Sequence, residues 1–273
     1  MKEIASKRFL TAFVLVFLVL LVLEKGGILV FSLLLTAVLV IALNELYNIF
    51  TGTGLKVQKY LGILSGILIS YFFYKQQLKG VLALLIFSLI FFSLLKLFSK
   101  DSHKDNLLGI AATMTGLLYI GVCGGYLILI RKLQEGLTQG GLRYIYVLLV
   151  IIWASDSGAY LIGTKLGKNK LLPAVSPNKT VEGAVGGLIT GIIGASFWWF
   201  SGIFPIFQCL SFGILISLTG MVGDLFESLI KRAGGVKDSG NLFPGHGGML
   251  DRIDSLLFAA PVWYYYIRFF LMK

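Results

Sequence analysis

Residues 27–50 read GILVFSLLLTAVLVIALNELYNIF, twenty-four residues with one charged side chain, Glu45. As a helix this stretch rises about 36 Å at 1.5 Å per residue. That is enough to cross a hydrocarbon core of about 30 Å, which takes about 20 mostly apolar residues. Glu45 and Asn44 near its end read first as a helix-end pair at the headgroups and second as functional residues. Working outward, eight more runs have the same character: 9–23, 60–74, 81–98, 107–130, 144–162, 184–200, 206–223 and 255–271. The runs 9–23 and 60–74 are the shortest, at fifteen residues each. No run alternates with a period of two, which excludes a β-barrel. The expected fold is all-α, a polytopic integral membrane helical bundle of about nine transmembrane helices.

Composition agrees with that reading. Of 273 residues, 57% are apolar and 14% charged, and the mean hydropathy is +0.87. A soluble domain carries roughly 25% charged residues, so most of this surface is solvated by lipid. A cytosolic enzyme, a secreted disulfide scaffold and a free nucleic-acid-binding domain are excluded. The two cysteines, Cys123 and Cys209, lie inside apolar runs and read as small core residues. The first run follows Lys2, Lys7 and Arg8, as a signal peptide would. It has no small-residue cleavage site and many spans follow it, so it reads as an anchor.

The net charge of +11 matches basic loops against anionic headgroups better than nucleic acid. With nine spans, sixteen Lys and Arg fall on the side of the N-terminus and eight on the other. This bias sets the N-terminus in the cytoplasm and the C-terminus, at Lys273, on the opposite side. In a bacterium the membrane is the cell inner membrane. Two long polar loops, 163–183 and 224–254, then share the cytoplasmic face. The chain divides into N-terminal spanning helices, 1–143, which carry little chemistry, and a catalytic region, 144–273. The stretch 99–106, with His103, reads as a solvated loop, and Lys96 as a snorkelling side chain.

Three polar segments stand out in the second part. Asp156 lies in the sixth run, nine residues before Lys165, which is about 13 Å along a helix. An ionised carboxylate at such a depth costs about 2.5–3.5 kcal/mol unless water or a partner meets it. The segment SPNKTVEGAVGG, 176–187, offers Ser176 or Thr180 as a helix N-cap. Lys179 stands at that helix start, where free N–H groups and the dipole favour an anion.

The third segment, 223–254, holds Asp224, Glu227, Asp238, Asp251 and Asp254, five of the chain's thirteen acids. Lys231, Arg232, Lys237, Arg252 and His246 stand among them. Asp224, Glu227, Ser228 and Lys231 fall on one helix face, and Asp251 and Asp254 repeat the three-residue spacing. Hard oxygen ligands from two helix ends suit Mg²⁺, which completes its shell with water and substrate phosphates. The basic residues would balance phosphate charge. The PGHGG turn lets backbone approach a ligand closely. His246 on it reads equally as a phosphate donor, a general acid or a turn residue. Zinc is not expected, for want of a nearby cysteine or second histidine.

The run SLIKR-x4-KDSG-x3-PGHGG-x2-DRID, Ser228 to Asp254, resembles the signature of phosphatidate cytidylyltransferases, the CDP-diacylglycerol synthases. The upstream DSGAY-x2-G-x3-G and SPNKTVEG runs are similar to that family's other shared segment. The likeness covers about 156–187 and 224–254. It implies a membrane enzyme that joins CTP to phosphatidic acid, yields CDP-diacylglycerol and pyrophosphate, and needs Mg²⁺; it also allows a homodimer. Carried onto this chain, it implies catalytic roles for Asp224, Asp251, Lys179, Asp156 and His246. Substrate would be bound by Ser176, Lys179, Thr180, Lys231, Arg232, Lys237 and Arg252. The metal is assigned first to Asp224 and Asp251, with a second cation near Asp156, Glu227 or Asp254.

Two other classes are weighed against this. A secondary transporter also buries acids among glycine-rich helices, but near mid-bilayer and in two related halves. Here the acids crowd one half of the chain. The motif of CDP-alcohol phosphotransferases is absent from the sequence.

Overall fold

The computed structural model describes residues 16–133, 140–242 and 247–272. Among the described residues, a helical stretch over 16–25 precedes eight helices and one short hairpin: α1 Gly27–Gly52, α2 Lys59–Tyr74, α3 Leu78–Leu97, α4 His103–Lys132, α5 Gly140–Leu166, β1 Lys170–Leu172, β2 Ser176–Thr180, α6 Val181–Phe200, α7 Ile206–Ala233 and α8 Leu250–Tyr266. Residues 117–122 of α4 form a π-helical stretch, and α8 ends in another, Ile267–Leu271. The chain is an all-α membrane protein.

Six helices among the described residues are long and apolar enough to cross a membrane: α1, α3, α4, α5, α6 and α7. The other three sequence runs account for the gap from nine. The 9–23 run falls partly outside the described residues and is helical from 16 to 25. Helix α2 has only 16 residues, about 24 Å of rise, short of a hydrocarbon core of about 30 Å. Helix α8 has 17 residues with Pro261 inside, and reaches the end of the run only through the π-helical stretch Ile267–Leu271. The N-terminal basic cluster and Lys273 lie outside the described residues.

The chain forms two compact units, Met1–Leu129 with Ala233–Arg252, and Ile130–Arg232 with Ile253–Lys273. The segment 233–252, adjacent in sequence to α7, thus packs with the N-terminal helices rather than with the rest of the second half.

In the first unit the core closes around Tyr47. Its ring is fully buried, and its hydroxyl donates to the Thr113 carbonyl at 2.9 Å. Gly62 and Gly116 lie where a β-carbon would run into that ring, so small residues let the helices approach. Ser102 caps α4, its Oγ accepting from Asp105 N at 3.1 Å. Cys123 and Cys209, one in each unit, are free thiols.

In the second unit α5 and α6 pack closely along a face of small residues. Gly183, Gly186, Gly187 and Gly191 of α6 leave no room for side chains, as is usual where membrane helices meet without a hydrophobic driving force. Thr190 Oγ1 donates across to the Ala154 carbonyl at 2.9 Å. An aromatic cluster closes the other end: Trp263 is fully buried, donates from Nε1 to the Tyr144 carbonyl at 2.9 Å, and packs on Phe212.

The hairpin was not expected from the sequence. Strands β1 and β2 pair antiparallel, Lys170 opposite Thr180 and Leu172 opposite Ser176, with an irregularity between. Pro173 lies in the connecting turn, closed by Val175 N on the Leu172 carbonyl at 3.1 Å. The strands are too short for a period-two pattern to register.

Candidate functional site

The second unit brings Asp156, Lys179, Asp224, Glu227, Lys231 and Asp254 together at one place. Thr180 is the N-cap of α6, its Oγ1 accepting from Gly183 N at 3.1 Å; Ser176, the other candidate, begins β2 instead. Lys179 therefore stands just before a helix start. Glu182, in the first turn, accepts from the backbone of Lys168 and Asn169 and from the Asn169 amide. It ties the approach to the hairpin to the head of α6. From α7, Arg232 Nε donates to the Val175 carbonyl at 3.3 Å, so this arginine holds the hairpin turn.

Helix α7 places Asp224, Glu227 and Lys231 on one face, as their spacing requires. Glu227 is 1% exposed and pairs with Lys231 at 2.5 Å. Asp224 pairs with Lys179 at 2.6 Å. Asp254, on α8, comes in from the other side. Gly223 makes that approach possible, because a β-carbon there would meet the Asp254 carbonyl; Phe226 stacks on Phe258 beside it. As a result Asp224, Glu227 and Asp254 each present an oxygen within 4.8 Å of the others. Asp156 on α5 interacts electrostatically with both Asp224 and Lys179.

Two carboxylates at this separation repel by roughly 3 kcal/mol at an effective dielectric constant near 20. Four carboxylates face two ammonium groups here, so the cluster carries a formal excess of negative charge. Three hard oxygen donors so close together fit a divalent cation such as Mg²⁺. Beside them opens a cavity of about 530 Å³, lined by Asp156, Tyr160, Thr164, Asn178, Lys179 and Asp224 among others. Tyr160 is 70% exposed, so the mouth of the cavity reaches the outer surface of α5.

The remaining sequence candidates lie in the first unit or outside the described residues. Asp251 is in the first turn of α8. Its Oδ2 accepts from Ser239 N at 2.9 Å, Ser239 Oγ at 2.8 Å and Gly248 N at 2.8 Å. Lys237 and Arg252 are exposed. His246 lies outside the described residues.

Two features escaped the sequence reading. Tyr160, Thr164, Lys170 and Asn178 line the cavity, yet none is unusual in its own stretch of sequence. Glu45 is buried, 6% exposed, and is no headgroup-facing helix end. Its one signal was a carboxylate inside an otherwise apolar run.

Helices of membrane-spanning length carry this cluster of acids and lysines beside a helix start, the arrangement of a membrane-embedded enzyme. The chain belongs to the cytidylyltransferase family, whose model matches residues 6–270; it is a membrane nucleotidyltransferase. It is 37% identical over 268 residues to a phosphatidate cytidylyltransferase of Staphylococcus saprophyticus, covering 93% of this chain and 96% of that one. A protein of the same name from Staphylococcus aureus (strain COL) is 34% identical over 266 residues, with the same coverage. One from Bacillus subtilis (strain 168) is 47% identical over 155 residues, 56% of each chain. Family membership decides for the transferase reading over the transporter.

Proposed function

We propose that this protein is a Mg²⁺-dependent CTP:phosphatidate cytidylyltransferase that produces CDP-diacylglycerol and pyrophosphate. The observation that carries the reading is the carboxylate group Asp224, Glu227 and Asp254, with Lys179 on Asp224 at a cavity open to the outer surface of α5. One substrate is a lipid, and a site for it must open sideways to the bilayer. The names of the relatives supply the cytidine and the phosphatidate.

In the reaction, a phosphate oxygen of the lipid attacks the α-phosphorus of CTP. The new P–O bond forms as the bond to the β-phosphate oxygen breaks, and pyrophosphate departs opposite. The nucleophile is already anionic, so no strong general base is needed. Catalysis rests on positioning and charge neutralisation. Asp224, Glu227 and Asp254 would hold Mg²⁺, with Asp251 and Asp156 as further candidate ligands. When bound, the ion acts as a Lewis acid on phosphate oxygens. Lys179 holds nucleotide phosphate at the head of α6, leaving Asp224 free to serve the cation. Lys231 pairs with Glu227 and orients it. Ser176, Thr180, Arg232, Lys237 and Arg252 are assigned to substrate, Thr180 and Arg232 by shaping the segment that carries Lys179. The charge bias of the loops supports a cytoplasmic N-terminus and a site facing the nucleotide pool.

The test uses purified full-length protein in detergent with α-labelled CTP and phosphatidic acid. Label should appear in a lipid product only when both substrates and Mg²⁺ are present, and chelation should abolish it. Product formation unaffected by chelation would remove the metal from the reading. Absence of any labelled lipid would overturn the activity itself.

A further inference from the structure

Among the described residues of the first unit, Glu45 is the one acid buried in an apolar helix, and the reaction above gives it no task. Its surroundings are built for it. Oε1 accepts from Met249 N at 2.9 Å, and Oε2 accepts from Leu250 N at 2.9 Å and from Ser239 Oγ at 3.0 Å. Met249 and Leu250 stand at the start of α8, where backbone N–H groups have no partner within the helix. A carboxylate there also meets the positive end of the helix dipole. Glu45 thus caps α8 from a helix some two hundred residues earlier in the chain.

Gly240, Gly247 and Gly248 have their reason here. At Gly240 and Gly248 a β-carbon would collide with the Glu45 carboxylate. At Gly247, whose φ is +79°, it would collide with that of Asp251. Backbone closes on two carboxylates of the protein itself. The Ser239 hydroxyl lies between them, 3.0 Å from Glu45 Oε2 and 2.8 Å from Asp251 Oδ2. Its single proton is shared by both.

We propose that Glu45 is a positioning residue for the reaction: from α1 it clamps Ser239 and the start of α8, and so sets the orientation of Asp251. The N-terminal helices then contribute to turnover through a residue that touches no substrate. This rests on the function proposed above, because the effect is read as turnover.

The experiment compares wild type with Glu45→Ala, Glu45→Gln, Ser239→Ala and the double variant Glu45→Ala/Ser239→Ala, as full-length protein in detergent. Kinetics with CTP and phosphatidic acid are combined with amide hydrogen exchange. A displacement of about 1 Å at a site can cost roughly a hundredfold in rate, so kcat of Glu45→Ala should fall by about ten- to a hundredfold. The KM for CTP should move by less than about threefold, since no nucleotide contact is removed. Glu45→Gln keeps a carbonyl oxygen for Met249 N and should recover part of kcat. The double variant should be no slower than Glu45→Ala, because both residues act through one clamp. Exchange should rise over 236–250 and stay unchanged over 140–230. Wild-type kcat and loop protection in both Glu45 variants would overturn the proposal. So would a rise in exchange spread evenly over the chain, which marks general destabilisation. If wild type makes no CDP-diacylglycerol, the proposed function fails, and the exchange arm still decides whether Glu45 holds the loop.

Discussion

The two groups of acids in this protein are satisfied in different ways. In the second unit Asp224, Glu227 and Asp254 face one another within 4.8 Å; lysines pair with Asp224 and Glu227, and Asp254 accepts one backbone N–H, from Ser255 at 2.7 Å. In the first unit Glu45 and Asp251 accept hydrogen bonds from backbone N–H groups and from one serine hydroxyl. Carboxylates facing other carboxylates keep a deficit that a cation can fill. Carboxylates facing amides spend their lone pairs on holding a loop. The same residue types, three residues apart in Asp251 and Asp254, fall on opposite sides of this division.

The largest effect should come from the charged group. Asp224→Asn removes a charge that meets both Lys179 and the other acids, and turnover should drop by about a hundredfold or more, on the scale of losing one electrostatic stabiliser. Asp254→Asn should be nearly as damaging. Both should insert and fold, as monodisperse chromatography in detergent would confirm. Near-normal turnover of both variants at saturating Mg²⁺ would dissolve the comparison at its stronger end.

Asp251→Asn sharpens the comparison from the other side. A loss of more than about tenfold in kcat is expected. If Asp251 acts as a clamp, Ser239→Ala should reproduce most of that loss. If it acts as a metal ligand, Ser239→Ala should be far milder and the Mg²⁺ requirement of Asp251→Asn should rise. Steady-state rates across a Mg²⁺ series distinguish the two.

Lys179 comes next. Lys179→Ala should raise the KM for CTP and lower kcat, by roughly tenfold in kcat/KM, the worth of one charge-assisted contact. Lys179→Arg should keep part of the activity, because arginine carries the charge with a different donor geometry. Unchanged CTP kinetics in Lys179→Ala would reduce the 176–187 segment to a capped helix start.

The smallest effect is structural. Thr180→Ala removes the cap of α6 and should cost about 1 kcal/mol, a fall in thermal midpoint of roughly 2–4 °C. Activity should fall as well, since the helix start orients Lys179. A lower midpoint with full activity would separate the cap from the site.

Much of this was legible in the chain. Long apolar runs without charge leave a helix in lipid as the only way to satisfy their backbone, so the all-α membrane fold followed from hydropathy. The count of spans did not, because α2 and α8 sit near the threshold of length, where tilt and packing decide. The face of α7 was readable because 3.6 residues per turn bring Asp224, Glu227 and Lys231 together. The PGHGG turn, 244–248, was read as room for a ligand, and of its glycines Gly247 and Gly248 are described. Their neighbours proved to be Glu45 and Asp251, and no local pattern announces a partner two hundred residues away.

The sequence by itself determined the solvent, the helices and the chemistry of the acids, because hydropathy and helical period act over a few residues. Tertiary structure alone decided which acids face each other and which face amides. It did so through close approaches at Gly223, Gly240 and Gly248 that bring distant segments within hydrogen-bond range. Coulomb repulsion and hydrogen bonding depend on distances of a few ångströms, and packing sets those distances across the chain rather than along it.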